Sequence, residues 1–333
     1  METRLKLSVI GMVTLFTIFS FAACDKELNV NEPGNLVPKT VMEDPSLPAI
    51  SVNNTRLHAE TFGNADSPMV VVLHGGPGAD YRSLLNCKTL ANDGFFVVFY
   101  DQRGSGLSQR HEKKTYSIQL MLDDLTSVIQ HYRRSAKQKV FLLGHSWGAM
   151  LATDYINAYP EAIAGAILAE PGGFTWEQTK DYVSRTRRTK PLDEGSNDGV
   201  YVDQVLTGKE NEHEALDYKM GIASAYDSRP GNEIGNAGAV PFWRYGAVVS
   251  QALTDIAEKD NFDFRTHLSQ YKTKVLFCYS ELNTAYGLQH ATLLASAYPN
   301  VQLEKITGTG HEIIFFGWSN FYPLAKNYLN SLK

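Results

Sequence analysis

The sequence predicts an α/β domain, a mostly parallel sheet with helices on both faces and a mainly helical cap inserted after strand six. Three observations carry this. Apolar runs of strand length recur ("MVVVL", "FFVVFY", "KVFLLGH", "AIAGAILAE", "KVLFCYS", "VQLEKI"), each ending in glycine, polar or acidic residues, as buried parallel strands do. Helical stretches such as "SIQLMLDDLTSVIQHYRRSA" and "GLQHATLLASAYP" alternate with them, which is the rhythm of a sheet covered on both faces. The segment from about 172 to 265 breaks that rhythm, being richer in charge and aromatics.

Taken in order, the first 24 residues, "METRLKLSVIGMVTLFTIFSFAAC", set Arg4 and Lys6 before an apolar run from Leu7 to Phe21. This is the pattern of a signal peptide, expected over residues 1–23, and is short for a membrane span. "FAAC" is similar to the lipobox of bacterial lipoproteins, although Phe21 is unusual there. That resemblance implies lipidation of Cys24, a polar tether over residues 24–47 and a membrane-anchored lipoprotein of a bacterial envelope. Ordinary secretion with cleavage near Ala22 or Ala23 is the other reading.

From about Pro48 two strands flank Asn53 and Asn54, so a hairpin opens the domain. The core is expected over 48–171 and 266–333, with the cap over 172–265. Cys87 and Cys278 sit in amphipathic and apolar contexts and imply no disulfide framework. With 333 residues, 43% of them hydrophobic, the chain can bury a large core. Its 31 Lys+Arg against 36 Asp+Glu give a net charge of −5. No basic run is interleaved with aromatics, so nucleic acid is not an expected partner. No ligand spacing points to a metal, and no cofactor is implied.

Three motifs carry chemistry. "LLGHSWGAM" is an apolar strand running through Gly144-His145-Ser146-Trp147-Gly148 into a helix. It is the setting in which a serine is presented as a nucleophile. "HGGPG", His74 to Gly78, follows another apolar strand. There the N–H of Gly76, with that of Trp147, forms an expected oxyanion hole, while His74 is expected to be structural. "GTGH" places His311 after the last strand, as the general base.

In this order, "HGGPG", "YDQRGSGLS", "GHSWGAM" and "GTGH" resemble the prolyl iminopeptidases, α/β-hydrolases that remove an N-terminal residue, typically proline, without a cofactor. The resemblance runs from about Pro48 to the end. It implies Ser146 as nucleophile, His311 as base, Gly76 and Trp147 as oxyanion donors, and a structural role for the turn from Asp101 to Gly106. Related haloalkane and epoxide enzymes use an aspartate where this chain has Ser146.

The acid is the departure. The family has an aspartate where "YSELN" puts Asn283, and asparagine supplies no negative charge to an imidazolium. Glu281, two residues earlier, shares a side of an extended chain with Asn283 and is the first choice. Glu170, ending "AILAE", is the second, and what remains is Asn283 orienting the ring without charge, or no functional acid.

In the cap, Glu210, Glu214 and Asp217 share a helical face, a solvated surface or a site for a substrate ammonium. Glu177 and Glu194 are equal candidates. Phe242, Trp243 and Tyr245 are expected to pack within the cap or to line an apolar pocket. The expected activity is a serine aminopeptidase acting on small peptides or amides through an acyl-enzyme. An esterase on the same scaffold and a degenerate surface-binding protein are the alternatives.

Overall fold

The structure, a computed structural model, describes residues 36–186, 212–227 and 231–333. The chain opens with β1 (Ala49–Val52) and β2 (Thr55–Phe62), joined through Asn53 and Asn54 at φ 42° and 58°. Positive φ at both central residues is what a two-residue hairpin turn of right-handed twist requires, and asparagine tolerates it.

Six strands follow: β3 (Met69–Leu73), β4 (Phe96–Tyr100), β5 (Val140–His145), β6 (Gly165–Ala169), β7 (Val275–Ser280) and β8 (Val301–Ile306). They form an eight-stranded sheet in the order β1-β2-β4-β3-β5-β6-β7-β8. The β1–β2 and β2–β4 pairs are antiparallel and the rest parallel. Every residue of β3 to β7 is buried, which is why these strands appear in the sequence as unbroken apolar runs. Alternation still sorts their side chains. Val71, Leu142 and Leu168 join the core on one face, and Val70, Phe141 and Ile167 the core on the other.

Helix α1 (Ile118–Tyr132) begins where the Ser117 hydroxyl accepts the N–H of Leu120 at 3.1 Å. Helix α2 (Trp147–Ala158) leaves the end of β5 and is buried from Trp147 to Ile156. Between β6 and β7 lie α3 (Trp176–Thr186), α4 (Glu212–Asp227) and α5 (Ala247–Asp260). Helix α6 (Gly287–Ala295) joins β7 to β8. After β8 come α7 (Ile313–Phe316) and α8 (Trp318–Leu332), which buries Phe321, Ala325, Tyr328 and Leu329 along one stripe.

The helices between β6 and β7 are bolted down by buried carboxylates. Asp217 on α4 accepts Arg110 Nε at 2.9 Å, Arg244 Nε at 2.8 Å and the N–H of Ala247 at 2.9 Å. Asp80, just after the glycine-rich turn, accepts the N–H groups of Trp243 and Arg244 at 2.5 and 3.1 Å. Burial pushes its carboxyl up to about 7, with the charge of Asp101 adding to the rise.

One expectation needs correction: residues 36–47 are not tether. Val41 is fully buried, its N–H donates to Leu107 O at 2.8 Å, and Arg244 donates to Pro38 O at 3.0 Å. The expected signal segment, residues 24–35 and Cys24 lie outside the described residues. Cys87 and Cys278 are buried free thiols, and burial raises both thiol pKa values.

Candidate active site

Ser146 stands at the turn between β5 and α2 with φ 53° and ψ −121°. For a residue with a Cβ this conformation stores about 1–3 kcal/mol of strain. The flanking glycines make the turn possible. A Cβ on Gly144 would fall 2.6 Å from the Ala149 backbone, and one on Gly148 would strike the carbonyl of Leu73. Strand and helix thus approach to backbone contact, and the serine is left half-buried at the sheet's C-terminal edge.

The glycine-rich turn after β3 runs against it: a Cβ on Gly75 would lie 3.1 Å from that of Ser146. Gly76 takes φ 119°, and a Cβ there would meet the Gly78 nitrogen at 2.5 Å, so only glycine fits. Among the described residues, the N–H groups of Gly76 and Trp147 meet no protein acceptor, as an oxyanion hole requires.

The "DQRGSG" turn holds this arrangement from behind. Gln102 accepts Trp147 Nε1 at 2.9 Å and donates to His74 O at 3.0 Å. His74 donates through Nδ1 to Gly75 O at 2.9 Å and accepts the Gln102 N–H through Nε2 at 2.9 Å. Burial lowers its pKa, so it stays neutral in this structural role. Asp101 accepts the N–H groups of Tyr81 at 3.1 Å and Leu107 at 2.8 Å.

His311 sits in the turn after β8, its N–H donating to Ile234 O at 2.8 Å. His145, beside the serine, donates through Nε2 to His311 O at 2.8 Å, and the two rings lie 4.8 Å apart. This brings the serine turn and the histidine turn together.

The carboxylate on the ring is Glu170. Its Oε2 accepts His311 Nδ1 at 2.8 Å. It is fully buried at the end of β6, with φ 46°. Ser280 donates its N–H and its hydroxyl to Oε1, each at 2.6 Å, and Asn283 Nδ2 donates to Oε2 at 2.9 Å. Burial by itself would raise the Glu170 pKa; the hydrogen bonds from His311 and Ser280 outweigh it and hold the carboxyl below its ordinary value. Burial likewise opposes protonation of His311, but Glu170 wins and raises that pKa above 6.5.

Glu281, the first choice from sequence, is therefore corrected. Its side chain is 40% exposed and accepts Lys305 Nζ at 3.1 Å and the Gly308 N–H at 3.0 Å. The expectation assumed an extended chain through Asn283, whereas the strand ends at Ser280 and the chain turns, with the N–H of Tyr286 returning to Asn283 O at 3.2 Å. Asn283 touches the carboxylate and not the ring.

Two participants were not visible in the sequence. Ser280 is the last residue of β7, and a serine ending an apolar strand carries no signal of its own. Tyr182 of α3 accepts Asn283 Nδ2 at 3.0 Å and lies 3.4 Å from His311 Nδ1; nothing in "WEQTKDYVSRT" distinguishes it from a packing aromatic.

Of the cap carboxylates, Asp217 is structural and Glu177 is exposed on α3, while Glu194 and Glu210 lie outside the described residues. Trp243 packs edge-on to Tyr81 at 4.9 Å and Phe242 to Tyr245 at 5.0 Å, and Phe242, Trp243 and Tyr245 are each half-buried. Glu312, next to His311, is half-buried, and its charge is felt by His311, His145, Tyr182 and Tyr245.

A family described as serine aminopeptidase, S33, matches residues 65–190. The proline iminopeptidase of Heyndrickxia coagulans is 34% identical over 148 residues, 43% of this chain and 49% of that one. Epoxide hydrolase B of Mycobacterium tuberculosis is 33% identical over 121 residues, 35% of this chain and 33% of that one. The matched segments thus span about half or less of the curated relatives' own length. The solved proline iminopeptidase of Mycobacterium smegmatis superposes with a TM-score of 0.57 at 15% identity, covering 86% of this chain and 98% of that one. An esterase from Exiguobacterium antarcticum gives 0.57 at 20% identity, covering 85% and 99%. The fold is that of the α/β-hydrolases, and the resemblance to proline iminopeptidases found in the motifs is borne out.

Proposed function

We propose that this α/β-hydrolase-fold relative of the proline iminopeptidases is a serine hydrolase built on Ser146, His311 and Glu170. The observation that carries the reading is the 2.8 Å bond from His311 Nδ1 to a buried carboxylate, beside a serine held at positive φ. With Nδ1–H given to Glu170, Nε2 is the free nitrogen that takes the serine proton as Oγ attacks a carbonyl. The Gly76 and Trp147 N–H groups receive the oxyanion. His311 then protonates the leaving group, and water releases the acyl group by the reverse sequence.

Within that reaction class, the substrate we propose is a peptide or amide with a free N-terminal proline or similar residue. The relatives' names support this, as does Glu312, a carboxylate beside the base suited to a substrate ammonium. A serine where related epoxide enzymes carry an aspartate speaks against epoxide opening. An esterase is the rival reading, since fold and triad do not set the leaving group. We further propose a lipid anchor at Cys24 and an extracytoplasmic site of action, both from the N-terminal sequence.

The test is turnover of free and N-acylated prolyl amides and a short acyl ester by wild type, Ser146→Ala and Glu312→Gln. The expected result is cleavage of the free prolyl amide, abolished in Ser146→Ala, with KM raised about tenfold, or about 1.4 kcal/mol, in Glu312→Gln. Activity on the ester alone would overturn the peptidase reading, and activity surviving Ser146→Ala would overturn the serine mechanism.

A further inference from the structure

We propose that Asn283 is a positioning residue for the Glu170–His311 pair, and that the pair works only while this position is an uncharged donor. The aspartate of the family pattern, placed here, would damage the site as pH rises instead of restoring it. The proposal rests on the serine-hydrolase reading and concerns a residue that touches neither ring nor substrate.

A carboxylate offers about four lone-pair positions, and all those of Glu170 are taken. Ser280 fills Oε1 with two donors, while His311 and Asn283 fill Oε2. The orientation of the Asn283 amide follows from its partners. Its Oδ1 accepts the N–H of Tyr286 at 3.2 Å, so the NH₂ must face Glu170 at 2.9 Å and the Tyr182 hydroxyl at 3.0 Å. Glu170 is 0% exposed and Asn283 1%, so water replaces neither partner.

In Asn283→Asp the Tyr286 N–H holds one carboxylate oxygen, and the other meets Glu170 Oε2 at hydrogen-bond distance. Two buried carboxylates this close do not both ionise; they share one proton. While it is present, the aspartic O–H donates to Oε2 as one amide hydrogen did, the Tyr182 hydroxyl turns to donate to the new carboxyl in place of the other, and the pair keeps the single negative charge that His311 needs. When it leaves, the oxygens repel and Oε2 is pushed from Nδ1. The surrounding groups do not blur this titration. Burial raises the Tyr182, Tyr286 and Cys278 pKa values and lowers that of His290, so these stay neutral across the relevant range. Among the described residues, the charges felt at Tyr182 besides Glu170 are Arg185 on α3, itself paired with Asp181, and Glu312 at the start of α7; the substitution alters none of them.

The experiment is the rate at which a fluorophosphonate labels Ser146 in wild type and Asn283→Asp from about pH 6 to about pH 9. The ratio of variant to wild type is expected to be within about threefold of one at the acid end and to fall at least tenfold, roughly, by the alkaline end. Recovery on returning the sample to acid pH shows that the fold is intact. A ratio that stays flat, or rises with pH, would overturn the proposal. The downfield Nδ1 proton of His311, followed by NMR in both proteins, reads the pair without any labelling. It should persist at alkaline pH in wild type and vanish in the variant, and its persistence in the variant would overturn the proposal too. Wild type that resists labelling but shows the proton refutes the serine reading alone.

Discussion

The ends of β6 and β7 lie side by side, and each carries a glutamate. Glu170 closes β6 with its side chain fully buried against His311, Ser280 and Asn283. Glu281 follows β7 and turns outward to Lys305 and the Gly308 N–H. Two residues of one chemistry, one strand apart, thus have opposite situations. What separates them is backbone direction: φ 46° at Glu170 turns its carboxylate inward, while the strand stops at Ser280 before Glu281 is reached. A carboxylate acts on a histidine through geometry and dry surroundings, not through its place in a motif.

The comparison breaks most sharply in Glu170→Gln. Turnover is expected to fall about 10⁴-fold, because an amide neither fixes the Nδ1–H tautomer nor offsets an imidazolium. A near-wild-type rate in steady-state assays would mean that another group serves His311. Asp217→Asn sharpens the contrast from a different side, since Asp217 is as buried as Glu170 but faces Arg110 and Arg244. Arg110 then loses its carboxylate and Arg244 keeps Glu43 at 3.2 Å but not Asp217, and breaking this buried pairing is expected to cost about 3–5 kcal/mol of stability. Denaturant midpoints should show that loss, with the pH dependence of activity unmoved. The smallest effect belongs to Glu281→Gln. With an exposed pair to Lys305 and a bond from the Gly308 N–H as its contacts, both away from His311, turnover is expected to stay within about twofold of wild type.

Much of the fold was legible because burial on both faces imposes unbroken apolar runs, and β3 to β7 are those runs. Asn53-Asn54 announced the hairpin by its chemistry. Ser146, Gly76 and His311 were legible because tight turns admit few residues and leave glycines in the sequence. The carboxylate was not, since reach to His311 depends on where the chain leaves β7, and no local pattern says that "YSELN" turns at once after Ser280. The clue available was an acidic residue at the end of the apolar run "AILAE", directly before proline and two glycines. Tyr182 comes from a helix distant in sequence, and its contact with Asn283 exists only after α3 has docked. Residues 36–47 read as a continuation of the polar stretch before them because they hold no strand or helix pattern, but their backbone carbonyls and Val41 are anchored by Arg56, Arg244 and Leu107.

The most direct test of the central claim is the acid limb of the pH–kcat/KM profile in wild type, Glu170→Gln and Glu281→Gln. In the proposed mechanism His311 must be neutral to accept the serine proton. Glu170 strengthens proton binding to the ring, so in wild type the limb lies above 6.5, and activity is lost as pH falls through it. Removing the Glu170 charge leaves burial to disfavour the imidazolium against the charge of Glu312, and the limb should move to lower pH, while Glu281→Gln should overlay wild type. A limb that moves in Glu281→Gln and stays in place in Glu170→Gln would contradict the account.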